Sequence, residues 1–176
     1  STKCFSCGEF NPRRSHTIKH THMNSNFIQG ESLDIPSRKI NRETCKRYGY
    51  TIGSLDGKPC HIANYRNMEG ATVAQKYRFA DKSFRCEGTP LYFFGQNLSP
   101  NGGKRVVITE GEIDVLALHE AGIKNEISVP NGATLNNNNL DYLDNCIDYF
   151  DDKQKVVLAV DADEPGQMLK QELVRR

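Results

Sequence analysis

The stretch Val106-Val107-Ile108-Thr109-Glu110-Gly111-Glu112-Ile113-Asp114 decides the architecture. Its opening residues are apolar or β-branched without interruption, the pattern of a strand covered on both faces, as in parallel sheets. The run then gives way to an acid, a glycine and a second acid. Gly111 reads as the sharp turn from strand to helix, and residues 112–121 keep helical spacing until Gly122 stops them. Glu110 therefore stands at the carboxyl end of the strand and Asp114 one helical turn further on, so their side chains can converge. That edge of an open parallel sheet is where ligands bind.

About fifty residues downstream the same arrangement recurs. Val156-Val157-Leu158-Ala159-Val160 runs directly into Asp161-Ala162-Asp163-Glu164-Pro165-Gly166, and alternation aims Asp161 and Asp163 to one side. Between the two motifs lie a strand at 127–129, a Pro130-Asn131-Gly132 turn and a helix at 140–150, and a helix at 165–174 follows. Strands alternating with helices imply an α/β fold, a parallel sheet with helices on both faces. Four carboxylates at neighbouring strand ends repel one another unless cations lie between them. Oxygen ligands without His or Cys suit Mg2+ or Mn2+. Such ions activate a hydroxyl nucleophile and stabilise an in-line phosphoryl displacement.

Upstream the pattern is different. Residues 37–48 read as a short helix, with Ser37 as a possible cap and Gly49 as a stop. Strand-like runs at 58–64, 72–79 and 91–94 follow, separated by turn-forming residues, and predict a small twisted antiparallel sheet with the helix packed on it. Charge divides the chain in the same place. From Arg38 to Gly88 there are eleven basic residues against five acidic ones, whereas Val106 to Gly166 holds thirteen acids and three bases. A basic half joined to an acidic half suits phosphates on one side and divalent cations on the other. Lys76 and Arg78 alternate on one predicted strand and so face one way, with Lys82 and Arg85 just past its turn. Tyr77, Phe79 and Phe84 are at hand for stacking. Lys104, ahead of the first parallel strand, is a weaker candidate for the same role.

Residues 1–30 are polar and show neither periodicity. They contain Cys4-Phe5-Ser6-Cys7-Gly8, half of a zinc-ribbon ligand set, with His16, His20 and His22 as further donors. The other four cysteines are scattered and read as reduced thiols. No apolar run approaches the roughly 20 residues of a membrane span, and the amino end lacks a signal-peptide layout, so an intracellular protein without membrane contact is expected. No Gly-x-x-x-x-Gly-Lys-Ser/Thr loop is present, so this chain by itself does not read as an ATP-driven motor.

Glu110-Gly111-x-x-Asp114 with Asp161-x-Asp163 resembles the Toprim domain of bacterial-type primases, topoisomerases, recombination mediators and some nucleases. The fuller strings are most similar to the primase half of the primase-helicases of short-tailed bacteriophages, relatives of the mitochondrial replicative helicase. Ile40-Asn41-Arg42-Glu43-Thr44-Cys45 and Val73-Ala74-Gln75-Lys76-Tyr77-Arg78 resemble the basic subdomain preceding Toprim there, so the likeness runs from about Pro36 to Arg176. It implies a division into 1–30, a zinc-ribbon remnant or linker; 31–103, a small basic α+β subdomain; and 104–176, a C-terminally truncated Toprim domain. It further implies a DNA primase, a DNA-directed RNA polymerase and nucleotidyltransferase. That enzyme makes short RNA primers from ribonucleoside triphosphates on a single-stranded DNA template, beside or fused to a replicative helicase in the cytoplasm of a phage-infected cell. Glu110 and Asp161 become the catalytic carboxylates, Glu110 near the attacking 3′ hydroxyl. Glu110, Asp114, Asp161 and Asp163 become the Mg2+ or Mn2+ ligands. Lys76, Arg78, Lys82 and Arg85 become template or nucleotide contacts, and Cys4 and Cys7 the last two Zn2+ ligands of a template-reading domain. Ser1 in place of a methionine, and the absence of the strand that carries a further acid in the family, suggest a fragment lacking both ends. Two other readings are a non-catalytic DNA-binding module of a helicase and a Toprim nuclease or topoisomerase fragment. The four acids favour the enzyme, and the basic subdomain favours the primase.

Overall fold

The computed structural model describes residues 26–99, 103–131 and 140–176 together with two short strands, β1 (Thr2–Lys3) and β2 (Phe10–Asn11), which pair antiparallel. The strands β3 (Gly30–Glu31), β4 (Tyr50–Leu55), β5 (Lys58–Arg66), β6 (Thr72–Phe79) and β7 (Phe84–Gly88) form an antiparallel sheet in that spatial order, and α1 (Arg42–Tyr48) packs on it. The alternating region then supplies β8 (Arg105–Thr109), α2 (Glu112–Glu120), β9 (Glu126–Ser128), α3 (Asp141–Asn145), β10 (Lys155–Ala159) and α4 (Glu164–Arg175). These strands are parallel, in the order β10-β8-β9. The chain is thus α/β, with an antiparallel α+β unit ahead of the parallel sheet. The central strand β8 buries Val106, Val107, Ile108 and Thr109, as its unbroken apolar run requires. Val106 and Ile108 join Leu143 of α3 and Leu169 of α4 in one cluster, while Val115 and Leu116 of α2 belong to another. Helices therefore cover both faces of the sheet.

Several elements differ from the sequence expectation. Helix α1 begins at Arg42, because Lys39 adopts a left-handed conformation (φ 55°) after the single 3-10 turn Pro36–Arg38. Asn41, not Ser37, is the cap, its side-chain oxygen accepting the Thr44 amide at 2.8 Å. Strands β4 and β7, and the two-residue strands β1, β2 and β3, stand where none was expected. The β4–β5 hairpin turns on Asp56 and Gly57, both at positive φ, which matches the twist of the flanking strands. Residues 91–94 form no strand; Phe94 makes one isolated bridge to Ser128. The helix expected at 140–150 breaks at Cys146 into α3 and a 3-10 turn, Ile147–Phe150. Cys45, Cys60, Cys86 and Cys146 are free thiols. The expectations for residues 4–9 and 12–25 lie outside the described residues.

The two sheets are joined by a shared core and by buried polar contacts. Tyr48, Tyr50, Ala63, Tyr65 and Ala74 of the antiparallel unit pack with Phe94 and with Val115 and Leu116 of α2. Beside them Lys76 Nζ donates to Glu112 Oε1 at 2.9 Å and to the Pro130 carbonyl at 3.0 Å, and the Tyr65 hydroxyl donates to the same carboxylate. Both side chains of this ion pair are almost out of solvent. A second buried acid, Glu126, accepts the Tyr48 hydroxyl and lies 2.8 Å from His119 Nδ1. Removing one partner of a buried pair strands the other charge at about 3 kcal/mol, whereas removing both is close to neutral. Lys76→Met is accordingly expected to lose about 3 kcal/mol in urea denaturation, and Lys76→Met/Glu112→Met to regain most of it. An unchanged midpoint in the single variant would remove this pair from the joint.

Candidate active site

The parallel register of β8 and β10 pairs Thr109 with Ala159, so the backbone leaves the sheet side by side after both strands. Glu110 and Asp161 lie just past those ends, and the Asp161 amide donates to Glu110 Oε2 at 3.3 Å. Gly111 has ordinary extended dihedrals (φ −123°, ψ 152°), so the turn does not need a glycine for its backbone conformation. A Cβ there would stand 2.8 Å from Asp114 Oδ2, which folds back against the turn, so a larger residue would push that carboxylate aside. Gly166 is more constrained, because its Cβ would fall 2.2 Å from the Asp161 carbonyl oxygen. The first turn of α4 thus rests directly on the Asp161 backbone, and Gln167 Nε2 donates to that same carbonyl at 3.2 Å.

The carboxyl of Asp114 is pushed above the ordinary carboxylate range, first by desolvation against the turn and then by the negative charge of Asp161; Arg38 pulls in the opposite direction. Asp114 and Asp161 therefore share one local field. Asp163 is placed differently. It caps α4, its Oδ1 accepting the Gly166 amide at 2.9 Å, which leaves its second oxygen for other contacts. With Asp163 turned to its helix and Glu110 turned to the Asp161 amide, no three His, Cys, Asp or Glu side chains among the described residues stand close enough to hold a metal ion as oriented here. The donor set at this edge is nevertheless all carboxylate oxygen, which suits a hard divalent cation.

The basic residues divide. Lys76 and Arg78 share one face of β6, and Phe84, opposite Arg78 on β7, lies between them. Arg85, one residue on, belongs to the other face and pairs with Asp56 at 2.9 Å. Lys104 precedes β8, at the far end of the parallel sheet from the carboxylates, where its carbonyl accepts the amides of Gln154 and Lys155. Lys82, in the β6–β7 turn, lines a cleft of about 400 Å³ together with Arg78, Arg38, His61, Tyr50 and Ile113. Ile113 adjoins Asp114, and the charge of Arg38 acts on that carboxyl, so the cleft lies near Asp114, and no acid lines it. Burial and then the Arg78 charge lower the His61 pKa, which keeps that ring neutral at pH 7. Cys4 and Cys7 lie outside the described residues.

Arg38, His61 and Glu112 were not anticipated. Glu112 had a legible signal: two residues before Asp114 on a helix, it must point away from it, toward the antiparallel sheet. Arg38 and His61 had none, since only the folding of β5 and the 36–38 turn against one another brings them to the cleft.

Two family models match the chain: residues 30–88 the N-terminal a+b fold of the bacteriophage T7 DNA helicase/primase, and residues 104–176 the Toprim domain. The DNA helicase/primase of enterobacteria phage T3 is 32% identical over 149 residues, which is 81% of this chain and 25% of that protein. The chain therefore spans a quarter of that relative's length. The crystal structure of the primase fragment of the bacteriophage T7 primase-helicase protein superposes with a TM-score of 0.72 at 33% identity, covering 83% of this chain and 60% of that one. A chain in the complex of the T7 lagging-strand DNA polymerase with primase domains of two gp4 subunits, bound to an RNA/DNA hybrid and dTTP, gives 0.68 at 32% identity, covering 84% of this chain and 74% of that one.

The raised Asp114 pKa has a definite sign in stability. The folded chain binds that proton more tightly than the unfolded chain does, so stability falls as pH rises through the shifted value. In metal-free buffer, Asp114→Asn is expected to raise the thermal midpoint at pH 7, and the gain is expected to shrink as pH falls toward the ordinary value of 3.8, below which both states are protonated. Calorimetric scans across that range check it; a lower midpoint for Asp114→Asn at pH 7 would contradict the desolvated placement.

Proposed function

The chain belongs to the Toprim primases of the phage helicase/primase type, and from that premise we propose that it carries a nucleotidyl-transfer site for making short RNA primers on single-stranded DNA. The observation that carries this reading is the placement of Glu110 and Asp161 on adjacent parallel strand ends, beside a cationic cleft. Glu110, Asp114 and Asp161, with the free oxygen of Asp163, would hold Mg2+ or Mn2+, which neutralises charge building on the transferring phosphoryl group. Glu110 would accept the proton of an attacking 3′ hydroxyl. Arg38, Arg78 and Lys82 orient phosphates by charge along the cleft, and the neutral His61 ring adds a polar wall without competing charge. Lys76 serves this site by fixing Glu112 at the head of α2 and with it the turn that bears Asp114.

By the same reading, residues 31–103 are the basic subdomain, 104–176 the Toprim unit, and 1–30 belong to a template-reading zinc region. The parent protein would work with a replicative helicase in the cytoplasm of an infected cell. Among the described residues, no helix is long and apolar enough to cross a membrane.

Primer synthesis from ribonucleoside triphosphates on single-stranded DNA, with Mg2+ or Mn2+ supplied, tests the proposal. Glu110→Gln is expected to lower synthesis at least about 100-fold, the lower range for loss of a positioned acid or base, while DNA binding is unchanged. A chain that binds DNA but makes no primer in wild-type or variant form, under conditions where a related primase does, would replace this reading with a non-catalytic binding module.

A further inference from the structure

Phe84 is half in solvent, at 53% exposure, on the outer strand of the antiparallel sheet. An exposed aromatic on a sheet edge carries an aggregation cost, and charged residues are the usual occupants there. Two cations reach this ring from β6: Lys76 Nζ lies 5.1 Å and the Arg78 guanidinium carbon 5.5 Å from its centre. They lie over the ring, which still leaves about half of the residue in solvent. Lys76 continues to Glu112 at 2.9 Å at the head of α2, so the ring stands on a cationic rim tied to the parallel-sheet unit. Arg78 also lines the cleft with Lys82 and Arg38, which places phosphate-binding charge immediately beside the ring. A fixed aromatic surface flanked by cations is the arrangement that binds a nucleobase by stacking while its phosphates meet the charges.

We propose that Phe84 is a stacking platform for a nucleobase at the rim of the site, held by Lys76 and Arg78. The proposal rests on the nucleic-acid reading above, but not on catalysis. A base can come from the single-stranded template or from a nucleoside triphosphate, and the platform accepts either because every base has a π face.

The chain contains no tryptophan, so Phe84→Trp places the only tryptophan at the position in question. Binding of a labelled oligothymidine, the same oligomer with abasic sites, and ATP is measured by anisotropy and by tryptophan emission for wild type, Phe84→Leu and Phe84→Trp. Leucine keeps apolar cover over the two cations and removes the ring. The expected results are about tenfold weaker oligothymidine binding for Phe84→Leu, the scale of one base-stacking contact; recovery in Phe84→Trp; and quenched emission with oligothymidine but not with the abasic oligomer. Quenching by ATP and not by oligothymidine supports the same platform with the nucleotide as the source of the base. Equal oligothymidine and ATP binding by wild type and Phe84→Leu, with Phe84→Trp emission unchanged at saturation, would overturn the proposal. Loss of primer synthesis in Glu110→Gln is independent of all these outcomes, so failure of the platform and failure of the primase reading are told apart.

Discussion

Parallel pairing of β8 with β10 is the constraint from which the site follows. Its register sets Thr109 against Ala159, and the residues that leave the sheet next are Glu110 on one chain and the Val160-Asp161 pair on the other. Hydrophobic burial holds the two strands together, so acids that would otherwise repel one another are fixed at neighbouring ends by forces unrelated to their charge. Glycine completes the arrangement at two points. Gly111 leaves room for the Asp114 carboxylate, and Gly166 lets the head of α4 rest on the Asp161 backbone. The raised Asp114 pKa records the electrostatic cost of that geometry.

The antiparallel unit contributes through the joint more than through separate surface charges. Tyr65, Tyr48 and Phe94 pack against α2, and two buried acids, Glu112 and Glu126, each accept a hydrogen bond from across the boundary, Glu112 from Tyr65 and Lys76 and Glu126 from Tyr48, while His119 of α2 adds a contact to Glu126 from its own side. Buried acids with partners on the other side penalise any shift between the units, because a displaced unit would leave a carboxylate without its donors. Lys76 is therefore part of the scaffold as well as of the cationic rim. Phe93 and Phe94 add a covalent link of the same kind: adjacent in sequence, they enter different clusters, Phe93 with α3 and Phe94 with the joint.

The parallel half was legible because its strands read as plain apolar runs, with β8 and β9 buried although the outer strand β10 is largely exposed, and because β8 and β10 each end in acids at a glycine-bearing turn. The antiparallel half was less so. Strand β4 is interrupted by Thr51, Gly53 and Ser54, and β7 is largely exposed, so neither shows a clean alternation. The Asp56-Gly57 pair, a strong hairpin signal, marked the β4–β5 turn and was the one cue that could have recovered β4. Residues 91–94 looked like a strand because they are apolar; their apolarity serves two separate cores instead. At the site, spacing alone brings Asp114 back to the Glu110-Gly111 turn, and the two apolar strands that end in acids suggested the Glu110–Asp161 neighbourhood that the β8–β10 pairing provides. Asp163 as a cap depends on how the first turn of α4 closes, and Arg85 on the reverse face and Lys104 at the opposite sheet end depend on strand pairing, which spacing does not reveal.

The central claim is that the edge formed by β8 and β10 holds a hard divalent cation through Glu110, Asp114 and Asp161. Anomalous diffraction from crystals of this chain soaked in Mn2+ tests it directly. The account predicts a peak bounded by those three carboxylates, lost in Asp161→Ala crystals of the same form. A peak elsewhere on the chain, or none at this edge at concentrations where related primases bind Mn2+, would contradict it.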